Sequence, residues 1–265
     1  MNIFFHELKA YRKSTIIWTC SLMGIVTFFL LMFPSISKDY LEFSKVLEGY
    51  PEGVRKALGL ELESFGTILG FYSYIFLYIT LCGSIQAMVL GTSIVSKEIR
   101  EKTADFLLTK PVTRTKVLTS KLLAGVTSLV ITNVFYFATV YIMAGQVTEA
   151  PFSSKQLFLV SITLFFLQLI FLTVGILISV IFSKLKAVLS VSLGTVFAFF
   201  VIGMVVSSDS SQAKRYLSPF KYFNPKYIIA HSKFEFAYLF VTVGIILVSI
   251  IVSYFIYTKK DVHAV

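Results

Sequence analysis

Six long stretches of the chain contain no Asp, Glu, Lys, Arg or His: Ser14 to Ser37, Ser64 to Ser96, Leu122 to Thr148, Gln156 to Ser183, Ala187 to Ser208 and Phe236 to Thr258. An apolar helix needs roughly 20 residues, at about 1.5 Å rise each, to cross about 30 Å of hydrocarbon, and every stretch meets that length. A strand barrel would instead show alternating segments of about ten residues, which this pattern lacks. The pattern predicts an all-α integral membrane protein with helices over residues 15–34, 69–95, 121–145, 157–182, 187–206 and 236–257, forming one transmembrane domain over residues 1–265. The first stretch follows the basic residues Lys9, Arg12 and Lys13, as a secretory signal would. It is longer than the 7 to 15 apolar residues or so of such a signal and lacks a small-x-small cleavage site, so it reads as a retained helix.

Two connections carry patterns of their own. Residues 39–63 mix charge with Tyr40, Leu41, Phe43, Val46, Leu47, Val54, Ala57 and Leu58, the spacing of an amphipathic surface helix broken at Gly49-Tyr50-Pro51. Before the last stretch, Ser218-Pro219-Phe220-Lys221-Tyr222-Phe223-Asn224-Pro225 combines turn-forming prolines with aromatics, which suits a segment folded into the outer membrane interface. The placement of Lys and Arg orients the chain. With both termini cytoplasmic, 14 of the 24 fall inside, seven of them between Lys97 and Lys121. Lys214, Arg215, Lys221, Lys226 and Lys233, in the last outer connection, run against this bias.

Composition agrees with lipid as the solvent: the chain is 56% hydrophobic and 14% charged, with a mean hydropathy of +0.82. The formal charge of +10 is spread over the connections, which suits lipid headgroups and topology rather than nucleic acid. Cys20 and Cys82 both lie in apolar stretches and indicate neither a disulfide framework nor zinc. Proton-coupled carriers and intramembrane enzymes place ionisable groups within the hydrocarbon, and the six stretches have none. Among their polar residues, Gln86 and Asn133 serve either as interhelical packing bonds or as the lining of a substrate path. Gly83 and Gly91, eight residues apart, give only a weak close-packing signal. No glycine-rich phosphate-binding loop is present, so no catalytic residue, metal or cofactor is expected, and ATP-driven work would need another chain.

The segment from Ser96 to Leu118 is the most informative. It reads as a charged helix, a break at Lys110-Pro111, and a second helix for which Thr113 supplies a cap. Ile99, Phe106, Leu107 and Leu108 form its apolar side, and Glu98, Arg100, Glu101, Lys102 and Asp105 its charged one. An acidic residue (Glu98 or Glu101), Thr103 with Leu107 and Leu108, then Pro111 to Arg114, then Lys121 resemble the permease subunits of bacterial type-2 ABC transporters, although Lys102 stands where many members have a small residue. The six-helix layout and the segment from Pro219 to Pro225 fit the same family.

The resemblance implies that this segment is a coupling helix docking on a separate ATP-binding subunit, with Glu98, Arg100, Glu101, Lys102, Thr103, Asp105, Pro111 and Arg114 at the contact. It further implies a permease of an ATP-driven exporter in the bacterial plasma membrane, paired with a second permease copy as homodimer or heterodimer and surrounded by membrane lipids. The alternatives are a stand-alone secondary carrier of an uncharged or amphiphilic solute, and a non-transporting membrane anchor or sensor.

Overall fold

The structure, a computed structural model, describes residues 3–38, 45–46, 49–51, 53–55, 66–100, 112–182, 187–207 and 212–259. Its helices are α1 (Ile3–Lys38), α2 (Ile68–Arg100), α3 (Arg114–Val147), α4 (Ser154–Ile181), α5 (Val188–Ser207), the short α6 (Pro225–His231) and α7 (Phe236–Lys259). All but α6 are long and apolar enough to cross a membrane, and no strand occurs among the described residues. The chain is an all-α, multi-pass membrane protein. Most of the amphipathic pattern in residues 39–63, and residues 101–111 of the coupling segment, lie outside the described residues.

The helices outrun the uncharged stretches. α1 has 36 residues, about 54 Å of helix against about 30 Å of hydrocarbon, so its basic first turns belong to the same rod as its apolar centre. It passes through Pro34, which lacks the N–H that would bond the carbonyl of Leu30. α3 begins at Arg114, eight residues before the uncharged stretch, because Thr113 caps it by accepting a hydrogen bond from the Lys116 N–H at 3.3 Å. Ser153 caps α4 in the same way through the Gln156 N–H.

Side-chain pairs fix the packing. Thr19 meets Thr132 and Glu7 meets Lys121, so α1 and α3 run parallel and in register. α2 and α4 also run parallel and form the central pair, with 61% of each apolar window buried against 17–39% for the other spans. Their backbones touch at Gly91 and Gly175: a Cβ on Gly91 would collide with the Leu172 carbonyl, and one on Gly175 would come within 2.9 Å of the Met88 oxygen. α5 joins α2 through Thr92 and Ser192 (2.8 Å), and α7 reaches α3 through Tyr254 and Thr119 (2.6 Å). The N-terminus, the α2–α3 and α4–α5 connections and the end of α7 therefore share one end of the bundle. We call it the basal end, and the other the distal end.

At the distal end the chain between α5 and α7 turns back into the bundle rather than lying on it. Two 3-10 turns, Gln212–Leu217 and Pro219–Lys221, precede α6. Ser218 donates to the carbonyl of Phe199 (2.7 Å), eight residues and so about 12 Å below the last residue of α5. Phe220 is wedged between Phe171 of α4 and Phe200 of α5, each ring centroid 5.4 Å away. Gln156 holds the end of α6 by donating to the Ile229 carbonyl (2.6 Å), and Ser232 closes that helix in the left-handed region at φ 51°.

Candidate functional site

Three polar clusters are built into the apolar bundle. The first lies at the basal end. Lys121 is on the face of α3 formed by Gly125, Ser128, Thr132 and Tyr136 at helical spacing, which points inward while Leu123, Val130, Val134 and Phe135 face out. Glu7 is buried in the first turns of α1, as Thr19, Leu22 and Val26 are further along it. The Lys121 ammonium, fully buried, donates to Glu7 Oε1 at 3.3 Å and to the Ile94 carbonyl of α2 at 2.5 Å. The second carboxylate oxygen of Glu7 is buried with no hydrogen-bond partner among the described residues. One lysine thus ties α1, α2 and α3 together seven residues after α3 begins and six before α2 ends.

The second cluster sits midway along the bundle. Gln86 donates to Thr132 (2.9 Å), whose hydroxyl also pairs with Thr19 (2.9 Å). Gln168 donates to Gln86 Oε1 (3.1 Å) and accepts from Asn133 (2.5 Å), which also donates to the Leu129 carbonyl (2.8 Å). Gln86 and Asn133 therefore belong to one network spanning α1 to α4, with Gln86 and Gln168 buried and Asn133 half-buried. Nearer the distal end, Tyr72 bonds both Tyr136 (2.7 Å) and Ser161 (2.8 Å), again joining α2, α3 and α4. Such bonds average well under about 1 kcal/mol each in membranes, so their effect is register rather than bulk stability.

The third cluster organises the distal segment. Arg215 makes a two-point ion pair with Glu235 (3.0 and 2.7 Å), donates twice to the Lys221 carbonyl (3.2 and 3.1 Å) and lies 4.2 Å over the Tyr238 ring. Tyr222 stacks on Tyr238 and donates to the Tyr216 carbonyl (2.9 Å). Burial raises the Tyr222 phenol above its ordinary pKa and lowers the Lys221 ammonium, the neighbouring Arg215 lowering the latter further.

Of the residues expected at the coupling contact, Glu98 and Arg100 end α2, their side chains not being among those described, and Arg114 begins α3, partly buried. Glu101, Lys102, Thr103, Asp105 and Pro111 lie outside the described residues. Sequence reasoning passed over Glu7 and the Arg215–Glu235 pair, and counted Gln168 among the polar residues of the spans that can bond across helices. Lys121 was detectable, since it is in phase with the buried face of its helix; Glu7, about 120° around α1 from Thr19 at about 100° per residue, was not. The free thiols fall where the apolar stretches put them, Cys20 exposed on α1 and Cys82 half-buried on α2. Among the described residues no group of three His, Cys, Asp or Glu is placed to hold a metal ion.

No curated protein matches the sequence. Residues 1–262, nearly the whole chain, match the family described as ABC-2 family transporter protein. With six membrane-crossing helices tied by buried polar clusters, the chain belongs to the ABC-2 transporter family and is a membrane-spanning permease component of an ABC transporter.

Proposed function

We propose that this chain is the permease subunit of an ATP-driven exporter, coupled through residues 97–114 to a separate ATP-binding subunit that hydrolyses the ATP. The Lys121 clamp carries this reading. The expected coupling residues sit between the last turns of α2 and the first of α3, and Lys121 bonds α2 at Ile94 and α1 at Glu7 immediately behind them. A displacement of the coupling segment would reach three helices as one body, because packed elements joined by short polar contacts move together. Glu98, Arg100, Glu101, Lys102, Thr103, Asp105, Pro111 and Arg114 are assigned to the contact with the ATP-binding subunit.

In the same reading the basal end is cytoplasmic, both termini included, the membrane is the bacterial plasma membrane, and a second permease copy, identical or similar, completes the substrate path. Asn133, the half-buried member of the central network, is assigned to that path with Gln86 behind it. Outward transport follows the family resemblance.

The test is recovery of the tagged protein from its native membrane in mild detergent, with identification of co-purifying chains. A nucleotide-binding ATPase, lost when Glu98 and Arg100 are both replaced by Ala while membrane insertion is unchanged, is the expected result. Recovery without an ATPase, where other membrane complexes survive intact, would favour a stand-alone carrier or anchor.

A further inference from the structure

The connection between α5 and α7 carries Lys214, Arg215, Lys221, Lys226 and Lys233 against only Asp209 and Glu235. Glu235 is already engaged at both oxygens by Arg215. The guanidinium is held by that carboxylate, by the Lys221 carbonyl and by the Tyr238 face, so its orientation is fixed. Those contacts use four of its five N–H bonds; the fifth, on Nη1, has no partner among the described residues.

Lys221 is in a different position. Its side chain runs beside α5, with Cε 3.6 Å from where a Cβ on Gly203 would stand, and it is partly buried. Its ammonium has neither an acid nor a carbonyl partner among the described residues. Burial and the adjacent Arg215 both disfavour its charged form. A cation kept at a desolvated position beside another cation is destabilising for the isolated chain, and such strain collects where a ligand relieves it.

Depth identifies the ligand. Gly203 lies four residues, about 6 Å, below the last residue of α5. The ammonium therefore sits near the boundary between headgroups and acyl chains, where lipid phosphates lie and lysines reach up to them. Exposed Val201 of α5, about 3 Å below Gly203, and exposed Phe240 of α7, about 6 Å in from its distal end, offer apolar surface for the acyl chains. We propose that Lys221 and Arg215 form a binding site for the phosphate of an anionic phospholipid, the phosphate meeting the Lys221 ammonium and the remaining Nη1 hydrogen of Arg215. Free phosphate offers the same chemistry without the acyl chains. The site belongs to the permease alone and does not depend on coupling to an ATPase.

The experiment uses the purified full-length chain in neutral detergent, titrated with phosphatidylglycerol, with phosphatidylcholine, and with inorganic phosphate alone, bound lipid being read by native mass spectrometry. Phosphatidylglycerol is expected to bind more tightly than phosphatidylcholine. Lys221→Met should weaken phosphatidylglycerol about fivefold and leave phosphatidylcholine unchanged, while Lys221→Arg keeps the preference. Lys221→Met should also raise the melting temperature of the lipid-free protein, because it removes the unrewarded charge, and this reports that the variant is folded. Equal affinity for the two lipids, or a preference untouched by Lys221→Met, would overturn the site. Competition by inorganic phosphate as strong as that by phosphatidylglycerol would overturn the lipid assignment.

Discussion

Lys121 is a residue whose sequence position and structural position tell different stories. In the sequence it is the last cation before an uncharged stretch and looks like a headgroup anchor; in the fold it is fully buried, bonded to Glu7 and to the Ile94 carbonyl. A buried pair contributes little beyond an apolar one of the same shape, but removing one partner strands the other, at about 3–5 kcal/mol. Lys121→Met should therefore destabilise the protein by that order, whereas Glu7→Leu combined with Lys121→Met should recover most of the loss. Thermal unfolding of the two variants in detergent checks this. If the single variant were as stable as the parent, the clamp would not be a structural tie. Stability and coupling separate in the double variant: it should fold, yet lose transport in proportion to ATP hydrolysed, because the three helices are no longer joined by a directional contact at their basal ends, next to the coupling segment. Glu7 is out of phase with Thr19 and Val26, so only the Lys121 half of this site was present in the sequence as helical phase, aligned to Gly125, Ser128 and Thr132. Which carbonyl the lysine would find was not, because that depends on how α2 crosses both helices.

The number of spanning helices follows from hydrocarbon thickness alone, so the six spans were legible in the sequence while their ends were not. Charged turns at the starts of α1 and α3 stay helical because an N-cap and continued backbone bonding decide helicity, whereas hydropathy decides only what lipid tolerates. Partner choice among helices was also hidden. Gly83 and Gly91 gave a weak signal since their spacing of eight has no second half in α2; the other half is Gly175, on α4. Gly91→Leu should force α2 and α4 apart and cost about 1–3 kcal/mol or more, measured as a lower melting temperature. Gly194→Leu on α5, where a Cβ meets nothing, is the control and should leave that temperature unchanged. Equal behaviour of the two variants would mean that the central pair does not depend on backbone contact. The distal segment was legible as aromatic and turn-rich, but its depth was not, because the partners of Phe220 and Ser218 lie on helices remote in sequence.

For the molecule as a whole, orientation depends on which cations stand in free connections and which are bonded into the bundle. The positive-inside bias is set by Lys and Arg in short connections near the ends of spans. Lys97, Arg114 and Lys116 flank the α2–α3 connection at the basal end, together with Lys9, Arg12 and Lys13 of α1 and Lys259 of α7. The cations that argue the other way are not in a free loop: they belong to a segment bonded into the bundle through Ser218, Phe220 and Arg215. Two of them, Arg215 and Lys221, have the proposed lipid phosphate as counterpart, and Arg215 has Glu235 as well, so these two need no cytoplasmic address. In a background with Cys20→Ser and Cys82→Ala, a cysteine at exposed Lys233 should react with a membrane-impermeant maleimide in intact cells, and one at exposed Lys116 only after permeabilisation. The reverse pattern would put the basal end outside. It would also remove the coupling segment from ATP-binding partners, while the clamp, the central network and the distal lipid site would each stand as geometry in the opposite leaflet.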